Sequence, residues 1–137
     1  MNIEHVALYV NKLEVEKNFF AHYFGAQSSE KYTNFRNDFS SYFLAFDNGA
    51  QLEIMHRISM IDPKKDKYRS GYHHIAINVG SKEDVDNITS DMVARFFFVI
   101  TNARKTGDGF YARRNFGYPI AIEIETLANK TSRDFFD

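Results

Sequence analysis

The stretch HVALYVNKLEV beginning at His5 is echoed by HIAINVGSKED beginning at His74, an offset of 69 positions (5 to 74). Both run His, a β-branched residue, Ala, an aliphatic residue, a polar or aromatic residue, Val, and then a polar turn. A second pair follows the first: QLEIM carries Glu53 and AIEIE carries Glu123, an offset of 70 positions (53 to 123). One match could be chance. Two matches at nearly equal offsets indicate an internal duplication, and a duplicated chain has to fold as two similar modules.

Each half carries the same order of local signals. In the first, a strand over about 3–10 precedes KLEVEKNFFAHYFG, which sets Leu13, Phe19, Phe20, Tyr23 and Phe24 mostly on one helical face, with Gly25 as C-cap. Three strand-like runs follow, AQSSEKY, FSSYFLAF and AQLEIMH, the last two joined by Asp47-Asn48-Gly49, a strong hairpin signal. In the second half GYHHIAINV is the strand and SKEDVDNITSDM the helix, capped by Ser81 and burying Val85, Ile88 and Met92. FFFVIT, GFYARRNF and IAIEIET are its remaining strands, with turns at KTGDG and GYP. The layout is βαβββ twice, an α+β fold, with modules over about 1–58 and 71–127 of a single 137-residue domain. Between them, residues 57–70 form a polar crossover whose Lys64, Lys65, Lys67 and Arg69 read as a solvated face. The tail from 128 to 137 reads as a frayed end or short helix, with Phe135 and Phe136 available to a partner.

Composition narrows the class without naming a chemistry. Fourteen Phe and eight Tyr supply ample apolar area for a core, and the absence of Cys removes disulfides and thiolate metal sites. A formal net charge of −1 gives no electrostatic reason to expect nucleic acid. The N-terminus lacks the pattern of a signal peptide, and no run approaches the roughly 18 apolar residues of a membrane span. The expectation is a cytoplasmic protein acting on a small molecule, with neither nucleic acid nor membrane as partner.

Strand alternation then says which side chains share a face. His5, Ala7 and Tyr9 point one way and Val6, Leu8 and Val10 the other. His74, Ala76 and Asn78 oppose His73, Ile75, Ile77 and Val79, which makes His74, and not His73, the counterpart of His5. Glu53 and Gln51 oppose Leu52 and Ile54, while Glu123 and Glu125 oppose Ile122 and Ile124. His5, Glu53, His74 and Glu123 thus each lie on the polar side of a strand whose other side is apolar. A single strand His is more often structural than a ligand, but four such residues at repeat-related positions suggest a metal site. Two imidazoles and two carboxylates suit Zn, Ni, Co, Mn or Fe(II) better than Ca or Cu(I). Arg113 and Arg114 face opposite ways on one strand, so one of them is a candidate grip for a substrate carboxylate or phosphate.

The segments EHVALYV, FFAHYFGA, YFLAFDNGAQLEIM, GYHHIAINVGSKEDVD and TGDGFY with IEIET resemble the vicinal oxygen chelate superfamily. Its members include glyoxalase I, methylmalonyl-CoA epimerase, fosfomycin resistance proteins, bleomycin-binding proteins and extradiol dioxygenases. The likeness extends to about residue 126 and is nearest to small bacterial glyoxalase I-like proteins. It implies paired βαβββ modules in an open, incomplete eight-stranded barrel around a divalent metal (Zn, Ni, Co or Mn). The glyoxalase I ligand pattern His, Glu, His, Glu falls on His5, Glu53, His74 and Glu123. The implied activity is a lyase or isomerase acting on a substrate that chelates the metal through adjacent oxygens, such as a 2-oxoaldehyde hemithioacetal. Glu123 would move the proton between neighbouring carbons, with Glu53 as its counterpart.

Sequestration of a small molecule, as in bleomycin or fosfomycin resistance, and an epimerase or dioxygenase on the same scaffold are the alternatives. Tyr9 stands four residues past His5, where glutathione-using bacterial enzymes carry Arg, and is a candidate substrate contact. Glu125, two residues beyond Glu123 on the same face, is the alternative fourth ligand; repeat spacing favours Glu123. His22 and His56 read as surface or packing residues. A homodimer is expected, because an open barrel leaves sheet edges to cover.

Overall fold

A computed structural model of the chain describes residues 1–61, 68, 70–72 and 74–95 with their side chains, and the backbone of 99–105, 111–115 and 121–126. It divides into two compact units, Met1–Asp66 and Lys67–Asp137. The first runs β1 (Val6–Tyr9), α1 (Leu13–Phe24), β2 (Gln27–Ser28), β3 (Tyr32–Asn34), β4 (Phe39–Ala45) and β5 (Gln51–Arg57). The second runs β6 (His74–Gly80), α2 (Lys82–Ala94), β7 (Val99–Lys105), β8 (Tyr111–Asn115) and β9 (Ala121–Thr126).

The two sheets repeat one topology. In the first the order is β1-β5-β4-β2, with β3 also on β4; in the second it is β6-β9-β8-β7. The opening strand of each unit pairs parallel with the closing strand, and the closing strand pairs antiparallel with the one before it. The run AQSSEKY differs from its expected single strand. It is split into β2 and β3, both antiparallel to β4, and the intervening Ser29 instead accepts the Phe43 N–H on its hydroxyl at 3.0 Å. The first strand is also shorter than its pattern suggested: ladder pairing begins at Val6, and His5 lies just ahead of it.

In the first unit, α1 covers the face of the sheet that carries Leu52, Ile54, Leu44 and Tyr42. Val10, Phe20, Leu44 and Ile54 are almost wholly removed from water. Burying each such side chain contributes about 1.5–3 kcal/mol. Gly25 ends α1 in the left-handed region (φ 64°), and its N–H is donated to Ala21 O, as a C-cap glycine does. The helix is tied to the sheet by Tyr42, whose hydroxyl donates to both Glu14 carboxylate oxygens at 3.0 Å. Lys31 reaches Glu14 at 3.0 Å and Lys17 at 3.5 Å. The Lys31 contact, with Tyr42, lowers the Glu14 pKa below the ordinary carboxylate range despite some desolvation.

One residue in the buried stripe of α1 is charged by type. Glu16 lies between Leu13 and Phe19, only 8% exposed, and burial pushes its carboxyl up to about 7. In the second unit Ser81 caps α2 as expected. Its Oγ accepts the Asp84 N–H at 3.1 Å, while the Asp84 carboxylate accepts the Ser81 N–H at 2.8 Å. The Ser81 hydroxyl, which donates to the same carboxylate at 2.7 Å, and then the Ser81 N–H hold the Asp84 carboxyl below its ordinary value. Gly80 enters this turn at φ 111°, where a Cβ would lie 2.8 Å from Asp84 Oδ2, so only Gly fits beside the cap. Val85, Thr89 and Met92 are buried and Ile88 is half-buried. Thr89 takes the inward place by donating its hydroxyl to Val85 O at 2.6 Å. The turns KTGDG and GYP, the basic crossover residues, His73 and the tail with Phe135 and Phe136 lie largely or wholly outside the described residues.

Candidate functional site

The other face of the first sheet, away from α1, carries a different population. Register sets Ala7, Glu53 and Phe43 in one row across β1, β5 and β4, and Tyr9, Met55 and Ser41 in the next. Regular alternation along β5 then adds Arg57 to the same face.

His5, delivered at the entrance to β1, turns its Nε2 to within 3.8 Å of Glu53 Oε2. Its ring meets the Phe43 ring edge-on, with centroids 5.2 Å apart, which fixes the imidazole plane. On the other side Nδ1 meets the Glu4 carboxylate, which also accepts from Gln51 Nε2 at 3.3 Å. In the tautomer that donates Nδ1–H to Glu4, the lone pair sits on Nε2, facing Glu53.

This pair fits a divalent ion. Metal bonds of about 2.0–2.2 Å place two donors on one ion roughly 3–4 Å apart, and an imidazole nitrogen with a carboxylate oxygen is a borderline set. The side chains differ in exposure, 36% for His5 and 17% for Glu53, so the pair is open to solvent on the His5 side. Among the described residues no group of three or more His, Cys, Asp or Glu side chains is placed to hold a metal ion.

In the second unit the backbone repeats the arrangement. Ala76 is paired with Glu123 as Ala7 is with Glu53, and His74 stands two residues ahead of Ala76 as His5 does of Ala7. Glu125 pairs with Asn78, the relation that Met55 has to Tyr9. Arg114 pairs with Glu123, the place held by Phe43 opposite Glu53, and Arg113 pairs with Ile124. The side chains of Arg113, Arg114, Glu123 and Glu125 lie outside the described residues. Tyr9 is 46% exposed on the His5–Glu53 face. His56 packs inside the fold, its Nδ1 2.9 Å from Val10 O, and His22 stacks edge-on against Tyr23. Glu4 and Arg57 did not stand out in the sequence. The signal for Arg57 was present, since it lies four residues past Glu53 and so shares its strand face.

The model of the Glyoxalase/Bleomycin resistance protein/Dioxygenase superfamily matches residues 2–122. The chain belongs to this superfamily. Solved structures share its fold at low identity. A glyoxylase/bleomycin resistance protein/dioxygenase domain from Frankia sp. EAN1pec is 17% identical, with 92% of this chain and 97% of that one covered at a TM-score of 0.74. Glyoxalase I from Leishmania major, described as trypanothione-dependent, is 19% identical, with 92% and 86% covered at 0.73. A variant of the fosfomycin resistance protein of Listeria monocytogenes, complexed with Mn(II) and a dihydroxypropylphosphonic acid, is 17% identical, with 99% and 98% covered at 0.68. None of the curated proteins compared matches the chain. No helix among the described residues is long and apolar enough to cross a membrane.

Proposed function

We propose that the protein is a divalent-metal-dependent lyase or isomerase of the glyoxalase I type. The observation that carries this reading is the His5–Glu53 pair at 3.8 Å, together with the identical strand register of His74 and Glu123. His5, Glu53, His74 and Glu123 would hold the ion. Bound there, the ion would supply Lewis acidity toward two adjacent substrate oxygens. The remaining work falls to the chain. Glu123 takes a proton from the carbon beside the chelating oxygens and returns it to the neighbouring carbon, and Glu53 lies in the equivalent place on the other module. Glu4 holds His5 in the tautomer that leaves Nε2 free, and Phe43 sets the plane of its ring. Register favours Glu123 over Glu125, because Glu123 repeats the pairing of Glu53. Tyr9 and either Arg113 or Arg114 are the proposed substrate contacts.

We further expect a homodimer, since β1 and β6 are each the edge of their own sheet. Sequestration without turnover is the second reading, because the superfamily that the chain belongs to includes bleomycin resistance proteins. Metal analysis of protein purified without chelator separates the two. The lyase reading expects about one Zn, Ni, Co or Mn per chain, lost in His74→Ala, and turnover of methylglyoxal with at least one of several thiols. A folded, metal-free protein whose ligand affinity ignores chelators would overturn it in favour of sequestration.

A further inference from the structure

The face that carries His5 and Glu53 also carries an arginine whose charge no described residue balances. Arg57 closes β5, paired with Phe39, and is half-buried. Its Nε lies in the interior with no hydrogen-bond partner. Assigning the Asn37 amide so that its oxygen faces the guanidinium lets Arg57 Nη2 donate to it at 3.1 Å and the amide nitrogen donate to Asn34 O at 3.1 Å, the orientation that satisfies both ends. Asn37 therefore holds the guanidinium in place and contributes no negative charge. Among the described residues no carboxylate pairs with Arg57.

Holding a partly buried guanidinium with one unmet N–H is costly, and such groups in native proteins call for an explanation. The planar fork of Arg matches carboxylate and phosphate oxygens better than any other side chain. Its surroundings strengthen such a contact. Phe39 lies across the strand pair, and the Tyr32 ring stands 6.1 Å from that of Phe39, so the local medium is less polar than water. Between Arg57 and Glu53 on the same face lies Met55, with Ser41 paired to it. Four residues of strand separate Arg57 from Glu53, roughly 13 Å.

We propose that Arg57, oriented by Asn37, is the anion-binding end of the site, and that its ligand is an elongated small molecule. One end carries the adjacent oxygens that meet His5 and Glu53; the other carries a carboxylate or phosphate group roughly 10–15 Å away. This rests on the proposed function for the position of the chelating end, but the anion subsite itself needs no metal.

The test is calorimetric titration of the full-length protein with glutarate, inorganic phosphate and the neutral glutaramide, each with and without chelator. Glutarate or phosphate binds, glutaramide does not, and the Arg57-dependent part of the binding survives the chelator. Arg57→Gln weakens it about 10- to 100-fold, Arg57→Lys weakens it less, and Asn37→Ala has a smaller effect of about 3-fold. Unchanged melting and unchanged metal content in Arg57→Gln show that the variant is folded. The stronger of the two anions identifies the group as carboxylate or phosphate. Equal anion binding by wild type and Arg57→Gln overturns the proposal. A failure of thiol-dependent turnover would remove the lyase reading while leaving the Arg57 result intact.

Discussion

The two units are copies by topology and by register, yet they fasten their helices to their sheets by different means. In the first, α1 has no side-chain N-cap at Lys12 but ends on a left-handed glycine and is anchored from outside the helix by Tyr42 and Lys31 converging on Glu14. In the second, α2 begins with a reciprocal Ser81–Asp84 capping box and ends at Arg95 without a left-handed residue. What both copies retain is the pairing of an Ala with a Glu, two residues past a His. Helix attachment drifts because any sufficient set of caps and contacts serves equally. Strand register does not drift, because a slip of one residue would turn His and Glu to the apolar side.

That contrast can be broken at several points. The largest stability change is expected at Phe20, whose ring is buried between α1 and its sheet. Phe20→Ala should cost about 3–5 kcal/mol in a denaturant titration. If it costs under 1 kcal/mol, α1 is not the lid of that core.

Next, Glu123→Gln should lower metal affinity by more than the roughly 10- to 100-fold that losing an outer partner costs, matching Glu53→Gln, while Glu125→Gln leaves it near wild type. A reversed order would show that register does not select the ligand.

Glu16 supplies a pH test confined to the first unit. Its folded pKa of about 7 lies above the unfolded value of 4.5, so between those values the folded state binds more protons than the unfolded. Stability from this group is fully present below 4.5 and is lost as pH rises through 7. Glu16→Gln should therefore be more stable than wild type at pH 8 by on the order of 2 kcal/mol and equal to it near pH 4. A constant difference across that range would mean that burial of the charge is not the cause.

The smaller effects belong to the attachments themselves. Ser81→Ala should cost about 1 kcal/mol through loss of the α2 cap. Tyr42→Phe, which frees one bond to a solvent-exposed Glu14, should cost about 0.5–1 kcal/mol, and less at low pH as Glu14 protonates. Thermal melts of the pair at pH 7 and pH 4 measure both.

Much of the fold was legible in the chain because periodicity and caps are local. The helical stripe from Leu13 to Phe24, the stop at Gly25, the Ser81 start and the Asp47-Asn48-Gly49 turn all follow from residues a few positions apart. The break between β2 and β3 was not legible, since Ser29 satisfies a neighbouring strand and only the partner strand reveals it. Glu16 was equally silent: an acid in a helix reads as solvent-facing until Leu13 and Phe19 are seen buried on either side of it.

The candidate site divides in the same way. Duplication and strand alternation are properties of the sequence alone, and they were enough to select His5, Glu53, His74 and Glu123 and to set His73 aside. Distances and pairings between strands belong to tertiary structure. Only there do His5 and Glu53 come within 3.8 Å, Glu4 meet the far side of the imidazole, and Asn37 take hold of Arg57. The physical reason is range. A residue's face follows from its own strand, whereas its partner depends on which strand is laid beside it and in what register.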